Sequence, residues 1–228
     1  MPASPEHRRR WTAGHAVEVA LSLAALALVA EVFASFASRV EERAGVVMHD
    51  PVLALLVPRD LTWVIFAVIY AAVVASASSL ARDPPALALA LRAYALMVLF
   101  RLLAMSVTPL DPPAGAIPLR DPFIEQLWHG RTLTRDLFFS GHTATLCVIT
   151  FTARRHRALF AAATTVVGAC LLLQAVHYTI DVLAAPLFSY AAVRLARAAS
   201  RPAVVLRRAP TALASRREEG RSGARRAG

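Results

Sequence analysis

Two short stretches of this 228-residue chain hold residue types that can do chemistry: Asp136-Leu-Phe-Phe-Ser-Gly-His-Thr143 and His177-Tyr-Thr-Ile-Asp181. His177 and Asp181 stand four apart, so a helix running through both would put their side chains on one face, with the carboxylate about one turn deeper. A carboxylate in that position accepts the proton on one imidazole nitrogen, fixes the tautomer and leaves the other nitrogen free as a nucleophile or base. His142 can act as a general acid, because an unperturbed imidazole pKa of about 6.5 makes proton donation feasible near neutrality. Ser140 and Gly141 precede it at a helix start, where free backbone N–H groups and the positive end of the helix dipole suit a phosphate. A metal centre is the rival chemistry. Two His and one carboxylate without further Cys or Glu nearby form a thin ligand set, so no metal is expected. Cys147 and Cys170 lie in apolar runs without ligand spacing and read as packing residues, and His49, His129 and His156 read as interfacial polar residues.

The elements that must deliver these side chains are membrane helices. The chain is 57% hydrophobic and 18% charged, against about 25% charged in an average soluble domain, yet its net charge is +10. Residues 1–15 carry three Arg and one Glu, residues 194–228 ten Arg and two Glu, and the stretch between them twelve Arg and twelve acids. The excess positive charge therefore sits in the two tails. It flanks apolar segments and marks no folded basic surface, which argues against nucleic-acid binding. A hydrocarbon core of about 30 Å needs roughly 20 apolar residues per helix. The expected spans are 16–38, 61–81, 86–108, 137–153, 158–176 and 178–199: an all-α, polytopic six-helix bundle. Three regions follow, a basic tail (1–15), a membrane domain (16–200) and a disordered polybasic tail (201–228) suited to an anionic lipid surface.

Arg8, Arg9 and Arg10 precede the first span and Ala34, Ser35 and Ala37 end it, as in a signal peptide. Its apolar stretch exceeds the roughly 7 to 15 residues of a signal h-region, so a retained helix is expected. With the N-terminus inside, inside segments carry 17 arginines and the two long outside loops six, which predicts that both termini are cytoplasmic and that His142, His177 and Asp181 face outward. Arg92, Arg101, Glu18 and Glu31 fall within spans, where an ionisable group costs a few kcal/mol unless it is paired or faces a cavity. Arg92 and Glu18 are expected to be interhelical partners or residues near the helix ends that snorkel, and Arg101 to reach toward an outward-facing site. The loop 109–136 holds Pro112, Pro113, Pro118 and Pro122, then Phe123, Leu127 and Trp128. It reads either as an interfacial loop with an aromatic anchor or as a lid with Glu125 and Asp136 as head-group contacts.

The two chemical stretches resemble the second and third signature motifs of the sphingomyelin synthase-like branch of the type-2 phosphatidic acid phosphatase superfamily. The pattern D-x-x-F-S-G-H-T is met by Asp136, Phe139, Ser140, Gly141, His142 and Thr143, and H-Y-T-x-D-V by His177, Tyr178, Thr179, Asp181 and Val182. Arg101, Met105, Thr108 and Pro109, leading into Pro112-Pro113, are similar to a third segment of that family. The resemblance covers roughly residues 50–200. It implies a phosphohistidine mechanism in which His177 attacks phosphorus, Asp181 orients it and His142 protonates the leaving oxygen. Water or a lipid alcohol then takes the group from His177, without metal or organic cofactor. Arg101 and backbone donors around Ser140 and Gly141 would meet the developing charge, with Asp136 as a further substrate contact.

The chain also departs from the wider superfamily. It has no Lys, and the position six before His177, where an Arg is usual, is Leu171. Few fixed cations suit a monoanionic phosphodiester better than a dianionic monoester. Arg135 replaces the Gly usual before Asp136 and would repel a quaternary ammonium head group. The expectation is thus a lipid phosphotransferase in the bacterial cytoplasmic membrane with its site facing the periplasm or exterior. A lipid phosphate phosphatase using the same residues, or a non-catalytic membrane protein, are the alternatives. Membrane lipids are the expected partners; donor, acceptor and oligomeric state are left open by these residues.

Overall fold

The computed structural model describes residues 11–121 and 134–200. Among them the regular elements are helices: α1 (Ala13–Glu42), α2 (Thr62–Leu80), α3 (Pro84–Val107), α4 (Gly141–Thr152), α5 (Arg157–Leu173) and α6 (Thr179–Ala199), with a 3-10 turn at Leu53–Leu55. No strand occurs among the described residues, only an isolated parallel bridge between Val46 and Leu110. The compact unit runs to Arg197, and Ala198–Gly228 form a second unit of which only the first three residues are described.

Local chemistry sets the helix starts. Thr12 accepts from the His15 N–H at 3.2 Å and begins α1, while Asp83 accepts from Ala86 ahead of α3. Pro84 and Pro85 occupy the first turn of α3, where a missing N–H costs nothing. The apolar runs overshoot at two places. The run 137–153 becomes helical only from Gly141, because Ser140 caps α4 and its own N–H is bonded to the Asp181 carbonyl. The run 158–176 stops at Leu173, because Ala175 turns into the left-handed region at φ 54°.

Four helices, α1, α2, α3 and α6, are long and apolar enough to cross a membrane. The other two are shorter: the 17 residues of α5 and 12 of α4 rise about 25 and 18 Å at 1.5 Å per residue. The packing is that of a membrane-embedded protein. The core joining α3, α4 and α6 is built largely of alanine, including Ala93, Ala144, Ala185 and Ala192, and small residues let helix backbones approach closely. Large apolar side chains point outward, among them Leu28, Leu103 and Leu187, each about two-thirds exposed or more, a pattern a water-soluble surface rarely shows. Phe188 of α6 stacks on Phe139 at 4.5 Å, and Ser189 donates to the Ala144 carbonyl of α4 at 3.2 Å.

Glu18 and Arg92 pair at 2.7 Å between α1 and α3, as the cost of burying either alone requires. Glu31 lies on the exposed face of α1. Contacts at the two ends of the bundle define which connections share an end. Trp11 donates to the Ala81 carbonyl, Arg154 pairs with Asp83 and Arg197 donates to the Phe151 carbonyl, which gathers the α2–α3 and α4–α5 turns with the start of α1 and the end of α6. At the other end the segments 43–61, 108–121, 134–140 and 174–178 meet, and this end carries both chemical stretches.

Candidate active site

His177 is delivered by a turn. At the end of α5, Ala175 donates to the Leu172 carbonyl and Val176 to the Leu171 carbonyl, the bonding of a Schellman cap with alanine where glycine is usual. Gln174, fully buried, stitches this turn to its surroundings. Its Oε1 accepts from Leu61 N–H at 2.9 Å, and its Nε2 donates to Thr62 Oγ1 at 2.9 Å and to the Ile117 carbonyl at 3.2 Å. The chain then passes His177 and Tyr178 in non-helical conformation before α6 begins at Thr179. The expected helix through residues 177–181 is therefore not formed, because the α5 cap and the α6 start leave no room for it. The pair forms nonetheless. His177 Nδ1 lies 3.4 Å from Asp181 Oδ2, both residues being buried. Asp181, third in the helix, reaches back to accept the Tyr178 N–H at 3.0 Å, which is the acidic half of a capping box.

The second stretch is tied to the first by one backbone bond, Ser140 N–H to the Asp181 carbonyl at 3.1 Å. Ser140 Oγ in turn accepts the Thr143 N–H at 3.4 Å. The N–H groups of Gly141 and His142 find no acceptor among the described residues, so the start of α4 keeps two donors open. The His142 ring stands 6.2 Å from that of His177, at 62°, with Phe66 of α2 against it at 5.8 Å. His142 Nδ1, Thr143 Oγ1 and Asp181 Oδ1 are buried without a hydrogen-bond partner. Orphaned polar atoms of this kind are rare in a folded chain, and three of the five among the described residues belong to this site, the others being His15 Nδ1 and Arg92 Nε.

Arg101 is buried in the C-terminal half of α3. It donates to the Phe139 carbonyl and to the Asp136 carboxylate, with its guanidinium over the rings of Phe33 and Phe139 at 5.7 and 5.8 Å. A Cβ on Gly141 would fall 2.5 Å from Arg101 Nη1 and 2.8 Å from Cζ, so glycine is needed here for space. Arg101, Asp136, Ser140 and Gly141 are thus brought together, but Asp136 is bonded to Arg101 and does not stand free as a head-group contact. Arg135 turns to Asp111, at 2.6 Å, and to the Glu41 carbonyl.

Sequence reasoning missed Asp50, in the α1–α2 loop. Its Oδ2 accepts the Thr179 N–H at 2.6 Å, and its Oδ1 accepts from Thr179 Oγ1 at 3.0 Å, Val52 N–H at 2.9 Å and Leu53 N–H at 3.2 Å. Burial pushes the Asp50 carboxyl up, but these hydrogen bonds outweigh it and hold the group below the usual carboxylate range. The readable signal was the Asp-Pro pair opening a short turn, which speaks for a local cap and says nothing of Thr179. Pro122, Phe123, Glu125, Leu127, Trp128 and His129, with Arg8 to Arg10 and the tail from Arg201, lie outside the described residues. Among those described, no group of three or more His, Cys, Asp or Glu could hold a metal ion. No protein-family model, curated protein or solved structure matches this chain.

Proposed function

We propose that the chain is an integral-membrane lipid phosphotransferase working through a phosphohistidine at His177. The observation that carries this reading is the buried His177–Asp181 pair beside His142, with the two stretches held together by the Ser140 bond to Asp181. Their resemblance to the sphingomyelin synthase-like motifs supports it. Six spans with cytoplasmic termini agree with connections that alternate between the two ends, and local bilayer thinning accommodates the short α4 and α5. The arginine excess on the α2–α3 and α4–α5 side supports placing that side in the cytoplasm.

Asp181 against Nδ1 keeps the proton on that nitrogen and leaves Nε2 as the nucleophile. Attack needs the reacting atoms about 3 to 3.5 Å apart, and the acid must reach the leaving oxygen within about 3 Å. In the first step the Nε2–P bond forms, the P–O bond to the donor lipid breaks, and His142 gives its proton to the departing oxygen. In the second step the acceptor hydroxyl attacks phosphorus and loses its proton to His142, and the N–P bond breaks. The open N–H groups of Gly141 and His142 meet charge developing on the phosphoryl oxygens.

Protein in nanodiscs, given a phospholipid labelled in its head-group phosphate and either diacylglycerol or ceramide, should produce a new head-group lipid. Release of phosphate from phosphatidic acid instead would make water the acceptor and the chain a phosphatase. Absence of both, with no acid-labile phospho-enzyme, refutes the mechanism. His177→Ala should abolish turnover and the phospho-enzyme, and appreciable residual activity would exclude His177 as nucleophile. Orientation is tested by a membrane-impermeant thiol label, since Cys147 and Cys170 are buried. Val47→Cys should react from outside and His156→Cys only after permeabilisation; the reverse pattern overturns the topology.

A further inference from the structure

The two residues that follow His177 are both pinned to the α1–α2 loop. The Tyr178 hydroxyl accepts from Met48 N–H at 3.0 Å and donates to the Asp111 carbonyl at 2.9 Å. Thr179 gives both its N–H and its hydroxyl to Asp50. The first two N–H groups at the start of α6 therefore end on carboxylates, Tyr178 on Asp181 and Thr179 on Asp50. A phosphate cannot use these donors. The start of α4, whose Gly141 and His142 N–H groups are open, differs from it in this respect although both helices begin at the site.

We infer that Asp50 is a positioning residue for the phosphoryl transfer, locking the turn that aims His177 at a phosphate seated on the start of α4; this rests on the phosphohistidine reading above. Two features of the bonding make the role specific. Oδ1 serves the loop and the Thr179 hydroxyl, whereas Oδ2 serves the Thr179 N–H alone. Asp50→Asn is therefore a narrow perturbation. The carboxamide oxygen can keep the bonds from Val52 and Leu53, while its NH2 meets the Thr179 N–H donor to donor.

The consequence falls on geometry at the reacting nitrogen. A misplacement of about 1 Å in a catalytic group can cost on the order of 100-fold in rate. Because Asp50 contacts no part of the proposed phosphate seat, binding of the donor lipid should be left nearly intact.

The test measures kcat, KM and the rate of phospho-enzyme formation for full-length protein in nanodiscs, with the labelled phospholipid donor and diacylglycerol. Asp50→Asn should lower kcat and phospho-enzyme formation together, by about 10- to 100-fold, with KM within about threefold. Asp50→Glu, which restores the acceptor, should recover part of the loss. Thr179→Pro removes the same N–H at a first helical position that suits proline, so it carries the test should Asp50→Asn fail to yield folded protein, and it should show the same kcat-limited defect. An unchanged kcat in either folded variant, or a loss confined to KM, overturns the inference. Wild-type protein that forms no phospho-enzyme refutes the parent mechanism and this role with it, whereas an active wild type with an unaffected Asp50→Asn refutes only the role of Asp50.

Discussion

Replacing Gly141 by Ala probes the closest packing at the site, where the sign of the effect depends on one neighbour. At the first position of a helix, Ala is favoured over Gly by at most about 1 kcal/mol. The new methyl would lie 2.5 Å from Arg101 Nη1 and 2.8 Å from Cζ. A flexible side chain could ordinarily retreat from such a contact. Arg101 cannot do so cheaply, being bonded to the Phe139 carbonyl and Asp136 and held over two rings. Overpacking costs about 1 to 3 kcal/mol, and losing one charge-assisted bond about 1.5 to 3 kcal/mol. After the helix preference is subtracted, a net destabilisation of about 1.5 to 5 kcal/mol is expected, read from unfolding of the purified protein in detergent. The same substitution in an Arg101→Met background, where the guanidinium is gone, should cost less than about 0.5 kcal/mol or stabilise. Equal costs in the two backgrounds, or none in the wild type, would refute the claim that Arg101 is what excludes a side chain at position 141.

Other substitutions test the turn and its charges. Gln174→Leu should destabilise by roughly 2 to 6 kcal/mol in the same unfolding measurement, since it orphans the Leu61 N–H and the Ile117 carbonyl at about 1 to 3 kcal/mol each. Ala175→Gly should stabilise by up to about 1 kcal/mol, because glycine meets no penalty at the left-handed position that Ala175 occupies; a lower melting temperature would count against the cap. The Asp50 carboxyl is held below its usual range, so its contribution is fully present above the unfolded value near 3.9 and is lost as pH falls through the lower folded value. The difference in melting temperature between wild type and Asp50→Asn should accordingly be flat from about pH 8 to 5 and shrink below about pH 4. Asp136→Asn frees Arg101 of its counter-charge and should raise kcat/KM for a phosphomonoester lipid relative to a phosphodiester; a change in the opposite direction argues against Arg101 facing the phosphate.

Much of the helical layout was legible because apolar runs of membrane length leave few alternatives, and α2, α3 and α6 begin and end within two residues of the expected spans. The runs around α4 and α5 misled because hydropathy does not register a cap. Leu137, Phe138 and Phe139 are apolar enough to belong to a helix, yet Ser140 and the Asp181 carbonyl hold the chain outside one. Likewise Ala175 and Val176 look helical until the left-handed turn at 175 is seen. The pairing of His177 with Asp181 was readable from a spacing of four, though the reason differs: the carboxylate reaches back from the first turn of α6 to a residue ahead of the helix. The link from Asp50 to Thr179 was not readable, since the bond spans 129 positions and nothing local to either residue points to the other.

Arg101 of α3 and Arg135 flank the two chemical stretches, and each is paired with a carboxylate, Asp136 for the first and Asp111 for the second. Glu41 lies beside Arg135 as well, accepting its backbone N–H at 3.0 Å. The expected repulsion of a quaternary ammonium by Arg135 therefore loses its basis, because the guanidinium is partnered and turned toward Asp111. Under the proposed function, the same pairing would favour a monoanionic phosphate. With both guanidinium groups partnered, the Gly141 and His142 N–H groups remain as open donors at a helix end worth roughly half a positive charge. A phosphodiester matches that field, whereas the second charge of a monoester would have to draw Arg101 away from Asp136 and leave a carboxylate uncompensated in a partly buried site.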